Sequence, residues 1–326
     1  MTTPMFVLFT SLVLNLFGFT ATGDRPLNSE TSGSSQSAPQ TGIVFFSDDN
    51  GKNWFNASAG LPPKVRIGLG GIASSGTSLG IATKETGVYL YNFHTKMWET
   101  IPTDKQVIEG NIGTMAIMED VIFVGTQNKG VFYTKDFGKS WSSLNTGLTH
   151  LTIRRFCEFN QVLYVCTNDG FYSLSHNPEK WTLEYGQPSL QTNGAALYKG
   201  HFYLATNKGI FSQNQNKAWV HSSQDFSMHN ISASANQLYA MTYNKLLLSS
   251  PDGKTWYPKQ NGLPKDLYTF NVLNHNNLDF AGQWDGIYTR TSSGLAWEPS
   301  GKGLPPKFAV TNLKAFHQTL VISSSE

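Results

Sequence analysis

Between Asn111 and Met118 apolar and polar residues alternate with the period of a half-buried strand. Glu119-Asp120 then supplies a turn, residues 121–125 an answering strand and residues 130–133 a third, and Trp141 opens a fourth after another polar turn. The same unit recurs along the chain: Thr, two or three polar residues, Gly, a β-branched or aromatic triplet, a short polar turn, then Trp. It runs from Thr41 through Gly42-Ile43-Val44-Phe45 to Trp54, from Thr83 through Gly87-Val88-Tyr89 to Trp98, and from Thr126 through Gly130-Val131-Phe132 to Trp141. It continues from Thr167 through Gly170-Phe171-Tyr172 to Trp181 and from Thr206 through Gly209-Ile210-Phe211 to Trp219. The sixth copy, Thr242 through Leu246-Leu247-Leu248 to Trp256, lacks the glycine, and the seventh replaces Thr by Gln283 before Trp284-Asp285-Gly286-Ile287-Tyr288 and Trp297.

The successive repeat tryptophans are 44, 43, 40, 38, 37 and 41 residues apart, a period that fits four short strands and their turns. Each unit is therefore expected to be one blade, and the fold an all-β, seven-bladed β-propeller of four-stranded antiparallel blades. Beyond Trp297 the sequence supplies two more strands, near 310–316 and 319–323, while residues 43–46 enter at a third strand. The last blade is expected to combine both ends of the chain and so remove an open sheet edge.

The turn before each Trp carries a second signature. Ser47-Asp48-Asp49-Asn50-Gly51-Lys52-Asn53-Trp54 and Thr134-Lys135-Asp136-Phe137-Gly138-Lys139-Ser140-Trp141 both read Ser/Thr-x-Asp-x-Gly-x-x-Trp. Ser250-Pro251-Asp252-Gly253-Lys254-Thr255-Trp256 matches with one residue deleted, and the unit from Ser212 to Trp219 has Asn214 and Asn216 at the Asp and Gly positions. The units ending at Trp98 and Trp181 lack the box, and the last keeps Gly294 and Trp297. On these residues the stretch 41–326 resembles the Asp-box (BNR) repeat propellers, a sialidase-superfamily-like scaffold. Turn chemistry gives Asp49, Gly51 and Trp54, Asp136, Gly138 and Trp141, and Asp252, Gly253 and Trp256 a structural role. A short carboxylate bonds the backbone of its own turn, Gly permits the reversal, and Trp packs between sheets.

The resemblance takes in sialidases, xyloglucan-type glycoside hydrolases, sortilin-like receptors and photosystem II assembly factors of the Ycf type. A sialidase-like site implies three arginines on a carboxylate, an Arg-Ile-Pro motif and a Tyr-Glu nucleophile. The arginines here are Arg25, Arg66, Arg154, Arg155 and Arg290, and no Arg-Ile-Pro occurs. A xyloglucanase-like site implies two propellers flanking a cleft. No catalytic residue is assigned on this reading.

Composition narrows the picture further. With 24 Lys and Arg against 22 Asp and Glu and no basic cluster, nucleic acid is not an expected partner. Residues 6–19 form an apolar run with the length of a signal-peptide core, followed by Ala21-Thr22-Gly23, so 1–23 reads as a signal peptide. Residues 24–40 read as a flexible Ser-rich leader. The expected product is a secreted or periplasmic monomer without membrane insertion after signal removal. Cys157 and Cys166 fall in one hairpin turning at Asn160-Gln161, with Cys157 opposite Tyr164 and Cys166 diagonal to it, which favours two thiols over a disulfide. Gly76-Thr77-Ser78-Leu79-Gly80 spells the nucleophile-elbow string but lies in a hairpin without the helix that chemistry needs, and Gly68-Leu69-Gly70-Gly71 reads as a strand of little bulk. No His, Cys and acid spacing matches a metal site, so neither metal nor cofactor is expected. Asn56-Ala57-Ser58 and Asn230-Ile231-Ser232 are glycosylation strings.

With the box turns joining third to fourth strands, the opposite face collects the other loops, where propellers gather ligands. The candidates there are Trp284, Asp285, Tyr243, Lys245, Lys129, Asn168 and Asp169, with Arg66 and Arg154. Amides bond hydroxyls and an aromatic face stacks on sugar CH groups. Trp284, alone outside the repeat position, either packs on a neighbouring loop or offers an open face. The expected function is a non-catalytic propeller binding a glycan or an extracytoplasmic protein through one face. The alternatives are a glycoside hydrolase of unrecognised pattern and an assembly factor for an envelope complex.

Overall fold

The computed structural model of the protein describes residues 42–176, 179–223, 226–291 and 293–325; the expected signal peptide and leader lie outside the described residues. Seven four-stranded antiparallel sheets form a ring, a seven-bladed β-propeller. The first strand of each blade faces the channel, and these inner strands touch one another in turn around the axis. They are Ile67–Ser75, Ile112–Met118, Ile153–Phe159, Thr192–Tyr198, Met228–Ala233, Thr269–His275 and Asn312–Phe316, of blades 1 to 7.

The repeated threonine has a local cause. Thr83, Thr126 and Thr206 are fully buried, and each hydroxyl donates to the carbonyl of the glycine at the entry of the third strand at 2.8 Å, while that of buried Thr167 donates to Asp169 Oδ1 at 2.6 Å. Such a side-chain bond closes the turn between second and third strands alongside the backbone pairing there. Gly87, Gly130 and Gly209 there have φ of 88°, 79° and 100°, a region that favours glycine. In blade 6 the Gln283 amide donates instead to Thr269 Oγ1 on the inner strand.

Blades are joined by wedges of apolar side chains: the buried residues fall into seven clusters, one at each junction between neighbours. The repeat Trp locks each wedge. Indole Nε1 of Trp54, Trp98, Trp141, Trp181 and Trp297 donates to the carbonyl of Ser300, Ala57, Pro102, Leu144 and Lys259, just past the outer strand of the preceding blade, at 2.6 to 2.9 Å. A buried Trp that finds a partner for its N–H gains both apolar area and a hydrogen bond. The receiving segment carries a signal of its own. A Cβ on Gly60, Gly147, Gly262 or Gly303 would lie 2.0 to 2.2 Å from the carbonyl of the docked Trp, so the recurrent Gly-Leu pairs mark where one blade seats the next.

Loss of the box changes the outer edge. Where the turn is intact the fourth strand has two residues, as in Phe55–Asn56, Ser142–Ser143 and Tyr257–Pro258. Where it is missing the connection becomes a hairpin, and in blade 3 the outer strand Glu179–Gly186 has eight residues.

Blade 7 has the order outer-to-inner Phe55–Asn56, Val44–Ser47, Thr319–Ser323, Asn312–Phe316, with Val44, Phe45, Phe46 and Ser47 opposite Ser323, Ile322, Val321 and Leu320. Deleting residues 310–326 removes the inner half of this blade and leaves Val44–Ser47 without its inner partner. Thermal unfolding of the truncated protein is expected to shift far below that of the full chain, beyond the effect of an ordinary tail deletion. An unchanged melting temperature would refute closure by both termini.

Candidate functional site

Six inner strands slip register against the second strand at their entry: between Ile67 and Ile72, Ile112 and Thr114, Ile153 and Arg155, Thr192 and Gly194, Met228 and Asn230, and Thr269 and Asn271. A bulge leaves a residue out of the ladder and re-aims its side chain. Here the released residues are Gly68 and Leu69, Gly113, Arg154, Asn193, His229 and Phe270, and together with Thr311 all of them line one cavity of about 640 Å3 at the channel mouth. Loop residues Lys84, Gln127, Thr152, Tyr243, Tyr268 and Trp284 complete its rim, on the face opposite the box turns.

The next inner-strand position, and in blade 4 the released Asn193 itself, ties the blades together beneath this mouth. Asn193 Nδ2 donates to the Met228 carbonyl, Asn230 Nδ2 to Phe270, Asn271 Nδ2 to Thr311 and Asn312 Nδ2 to Gly68, at 2.6 to 3.1 Å. Thr114 Oγ1 donates to the Gly70 carbonyl and accepts from the Phe156 amide, and Arg155 Nε donates to the Asn193 carbonyl. Every junction of the ring is thereby bridged. Asn230, buried in this girdle with its amide engaged, is closed to glycosylation.

The rim has two unlike arcs. On blades 5 and 6 the rings form a series, Tyr243 to His229 at 5.5 Å, His229 to Tyr268 at 6.2 Å, Tyr268 to Phe270 at 6.4 Å and Phe270 to Trp284 at 5.7 Å. On blades 1 to 3 stand Lys84, Gln127, Arg154 and Arg155. Burial, with the nearby Arg155 charge, holds the His229 imidazole down at about 4, so the ring is neutral at physiological pH.

Of the residues expected from the sequence, the fold brings Trp284, Tyr243 and Arg154 into the mouth. Trp284 is 43% exposed while resting on Phe270, so it both packs and keeps an open face. Asn168 accepts from Arg154 Nε at 2.5 Å and supports it from behind. Lys245 borders the mouth with Nζ 5.8 Å from the Tyr268 ring centre. The others are committed elsewhere: Arg66 pairs with Glu85, Lys129 with Glu109, Asp169 accepts from Thr167 and Tyr172, and Asp285 accepts from Tyr288. Sequence reasoning missed Arg155, Asn193, His229, Tyr268 and Phe270. A signal existed: Gly113, Arg154, Asn193, His229 and Phe270 each stand thirteen residues before Thr126, Thr167, Thr206, Thr242 and Gln283. That column carries Gly, Arg, Asn, His and Phe in turn, and variation inside a strict frame marks a surface released from packing.

Further groups complete the electrostatics. Cys157 and Cys166 are free thiols, Cys157 opposite Tyr164, and the hydrogen bond from Cys166 holds the Cys157 thiol below its ordinary value. Among the described residues no three His, Cys, Asp or Glu side chains converge as metal ligands, and no helix is long and apolar enough to cross a membrane. In the box turns Asp49 takes the Asn53 amide at 2.9 Å, Asp136 that of Ser140 at 2.9 Å, and Asp252 that of Thr255 at 2.9 Å. Bonds from Asn53, Ser140 and Thr255 bring these three carboxyls down to about 2.

No protein-family model matches the chain, and no curated protein matches it. Solved structures share its fold. The extracellular domain of the hybrid two-component system BT4673 from B. thetaiotaomicron is similar at TM-score 0.66 and 13% identity over 82% of this chain. The GH74 xyloglucanase from Xanthomonas campestris is similar at TM-score 0.61 and 14% identity over 81%, and YCF48 bound to D1 peptide at 0.59 and 12% over 80%. The chain spans 38%, 52% and 94% of those three chains respectively. At such identities the likeness is one of fold.

The shifted groups set the acid behaviour. His229 is depressed from 6.5 to about 4, so the fold disfavours its proton, and stability declines as pH falls from 6.5 to about 4. The turn carboxyls are depressed from 3.8 to about 2, so what they contribute above 3.8 is lost as pH falls toward 2. Unfolding free energy from urea titrations across pH should show both steps, with His229→Gln flattening the first and Asp252→Asn shrinking the second. A His229→Gln profile that superimposes on the parent's would contradict the assignment.

Proposed function

We propose that this protein is a non-catalytic extracytoplasmic propeller that binds a glycan or protein partner at the channel mouth. The observation that carries the reading is the convergence of the bulge residues on one cavity with an aromatic arc facing a basic one. Convergent polar groups among aromatics in one large concavity are the ordinary design of a binding site. Glycoside hydrolysis in most families is performed by two carboxylates, and the lining of basic, amide and aromatic groups offers no such pair. The box turns support membership of the Asp-box propellers, and residues 1–23 support export. Extracellular propeller domains among the structures of the same fold are in keeping with that location.

Tryptophan and tyrosine at the centre of an interface typically cost about 1 to 3 kcal/mol when truncated. Trp284→Ala and Tyr243→Ala, both at half-exposed positions, are expected to weaken a partner found by glycan array or pull-down by about 5- to 150-fold with little change in melting temperature. Full affinity in the double variant, or turnover on a panel of glycosidase substrates, would overturn the reading.

A further inference from the structure

The mouth sorts hydrogen-bond donors from acceptors. Of the described arginines, Arg66 and Arg290 pair with the carboxylates of Glu85 and Asp279. Arg154 and Arg155 meet only neutral groups, Arg154 through Asn168 and the Gln191 amide oxygen at 3.0 Å, Arg155 through the Asn193 carbonyl at 3.2 Å. No Asp or Glu lines the cavity to balance them or Lys84. Because Arg155 is tethered by Nε, its two terminal nitrogens stay as a flat fork, a geometry that matches the two oxygens of a carboxylate.

The neighbouring blades present the opposite sense. Asn193 is 6% exposed, its Nδ2 is spent on the Met228 carbonyl, and its Oδ1 is buried at the cavity floor without a partner. His229 Nε2 is likewise buried without a partner. In the neutral ring the nitrogen without the proton is an acceptor, and with the proton on Nδ1 that acceptor is Nε2. Two acceptors from adjacent blades thus stand together, unpaired, beside the basic fork and below the rings of Tyr243, Phe270 and Trp284.

We infer that the mouth holds a carboxylated sugar unit of an acidic glycan, its carboxylate on Arg155 and Arg154, its hydroxyls donating to Asn193 Oδ1 and His229 Nε2, and its CH face on the aromatic arc. This rests on the reading of the mouth as the binding face. Hydroxyls on adjacent ring carbons can each donate to one of two adjacent acceptors. An extended polypeptide alternates N–H with C=O, so the N–H that serves one acceptor sets a carbonyl against the other. A sugar unit also has what all three parts of the lining ask for at once: an anion, donors and an apolar face.

The test is calorimetric titration of the full chain at pH 7 with trigalacturonic acid, triglucuronic acid, a carboxyl-reduced trisaccharide, and a tripeptide with a free C-terminal carboxylate. At least one uronate is expected to bind, about tenfold or more tighter than the reduced trisaccharide and weakening with added salt. Arg155→Met should remove about tenfold of uronate affinity and none of the affinity for the reduced sugar, while Arg66→Met, at the paired arginine, changes neither. Asn193→Asp, which sets a carboxylate at the floor, should weaken uronate binding more than Asn193→Ala does. The salt dependence reads the same charge contact should an Arg155 variant fail to fold. Equal affinity for uronate and reduced sugar overturns the anionic assignment and leaves the mouth reading standing. Binding of the tripeptide in preference to both uronates overturns the glycan, as does the absence of uronate binding at millimolar concentration. Loss of the mouth reading itself shows differently, as a Trp284→Ala, Tyr243→Ala double variant that binds its ligand normally.

Discussion

Everything in this ring depends on how seven inner strands satisfy one another at the axis. An inner strand has one ladder partner, its own second strand, and on the channel side its polar groups would face a narrow space. The side chains of Thr114, Arg155, Asn193, Asn230, Asn271 and Asn312 bridge that side, each to the backbone of a neighbouring blade. A buried carbonyl left unpaired costs about 1 to 3 kcal/mol, so the bridges act as a set that either closes or leaves gaps. At the seam Asn312 takes the Gly70 amide on Oδ1 and gives Nδ2 to the Gly68 carbonyl, so the last blade is joined to the first at the axis, while its own sheet joins the N-terminal strands to the C-terminal ones.

Two layers of the same strands then do different work. In blades 2, 3, 5 and 6 the girdle residue is in register and holds the ring while the residue before it is bulged out and lines the mouth; in blade 4 the bulged Asn193 does both. Separation of the two roles lets the mouth vary in chemistry from Gly113 to Arg154 to Phe270 without disturbing the joints. At the rim of blade 1 the glycines matter for the opposite reason: a Cβ on Gly68 would lie 2.2 Å from the Gly113 carbonyl, so close approach of blades 1 and 2 requires its absence. The outer ring is secured independently, by Trp side chains seated on Gly-Leu segments of the preceding blade. Trp256, whose Nε1 is buried without a partner, and Trp219, stacked on Tyr185 at 4.9 Å, show that packing can hold the wedge when that bond is absent.

The chain's paired and unpaired charges follow the same division. Arg290, Asp279 and Tyr239 form a fully buried set at the junction of blades 5 and 6, with Tyr239 Oη 2.5 Å from Asp279 and the guanidinium 5.2 Å from the Trp297 ring centre. Their charges cancel inside the wedge, as buried charges must. Arg154 and Arg155 are held by amides and a carbonyl, which fix position without cancelling charge. Composition shows neither arrangement, because both sets contribute equally to a count.

The sequence by itself determined the number of blades, the strand order within them, the shared last blade and the box turns, because each follows from local rules repeated at a constant period. Thr before a polar turn, Gly at positive φ and a Trp every 37 to 44 residues are constraints a single unit must meet whatever surrounds it. From the same local logic Trp284 and Tyr243 were legible as aromatics in polar loops. Tertiary structure alone decided which residues meet at the mouth. Arg155, Asn193 and His229 lie on three different blades, and each reads locally as an ordinary strand residue. Only the register slip at the entry of six inner strands, and the ring, which brings seven strand entries to one axis, convert them into a surface. Likewise Arg66 and Lys129 were indistinguishable from Arg154 until the fold placed Glu85 and Glu109 beside them, since a charge is free or cancelled according to neighbours that proximity in space, not spacing in sequence, supplies.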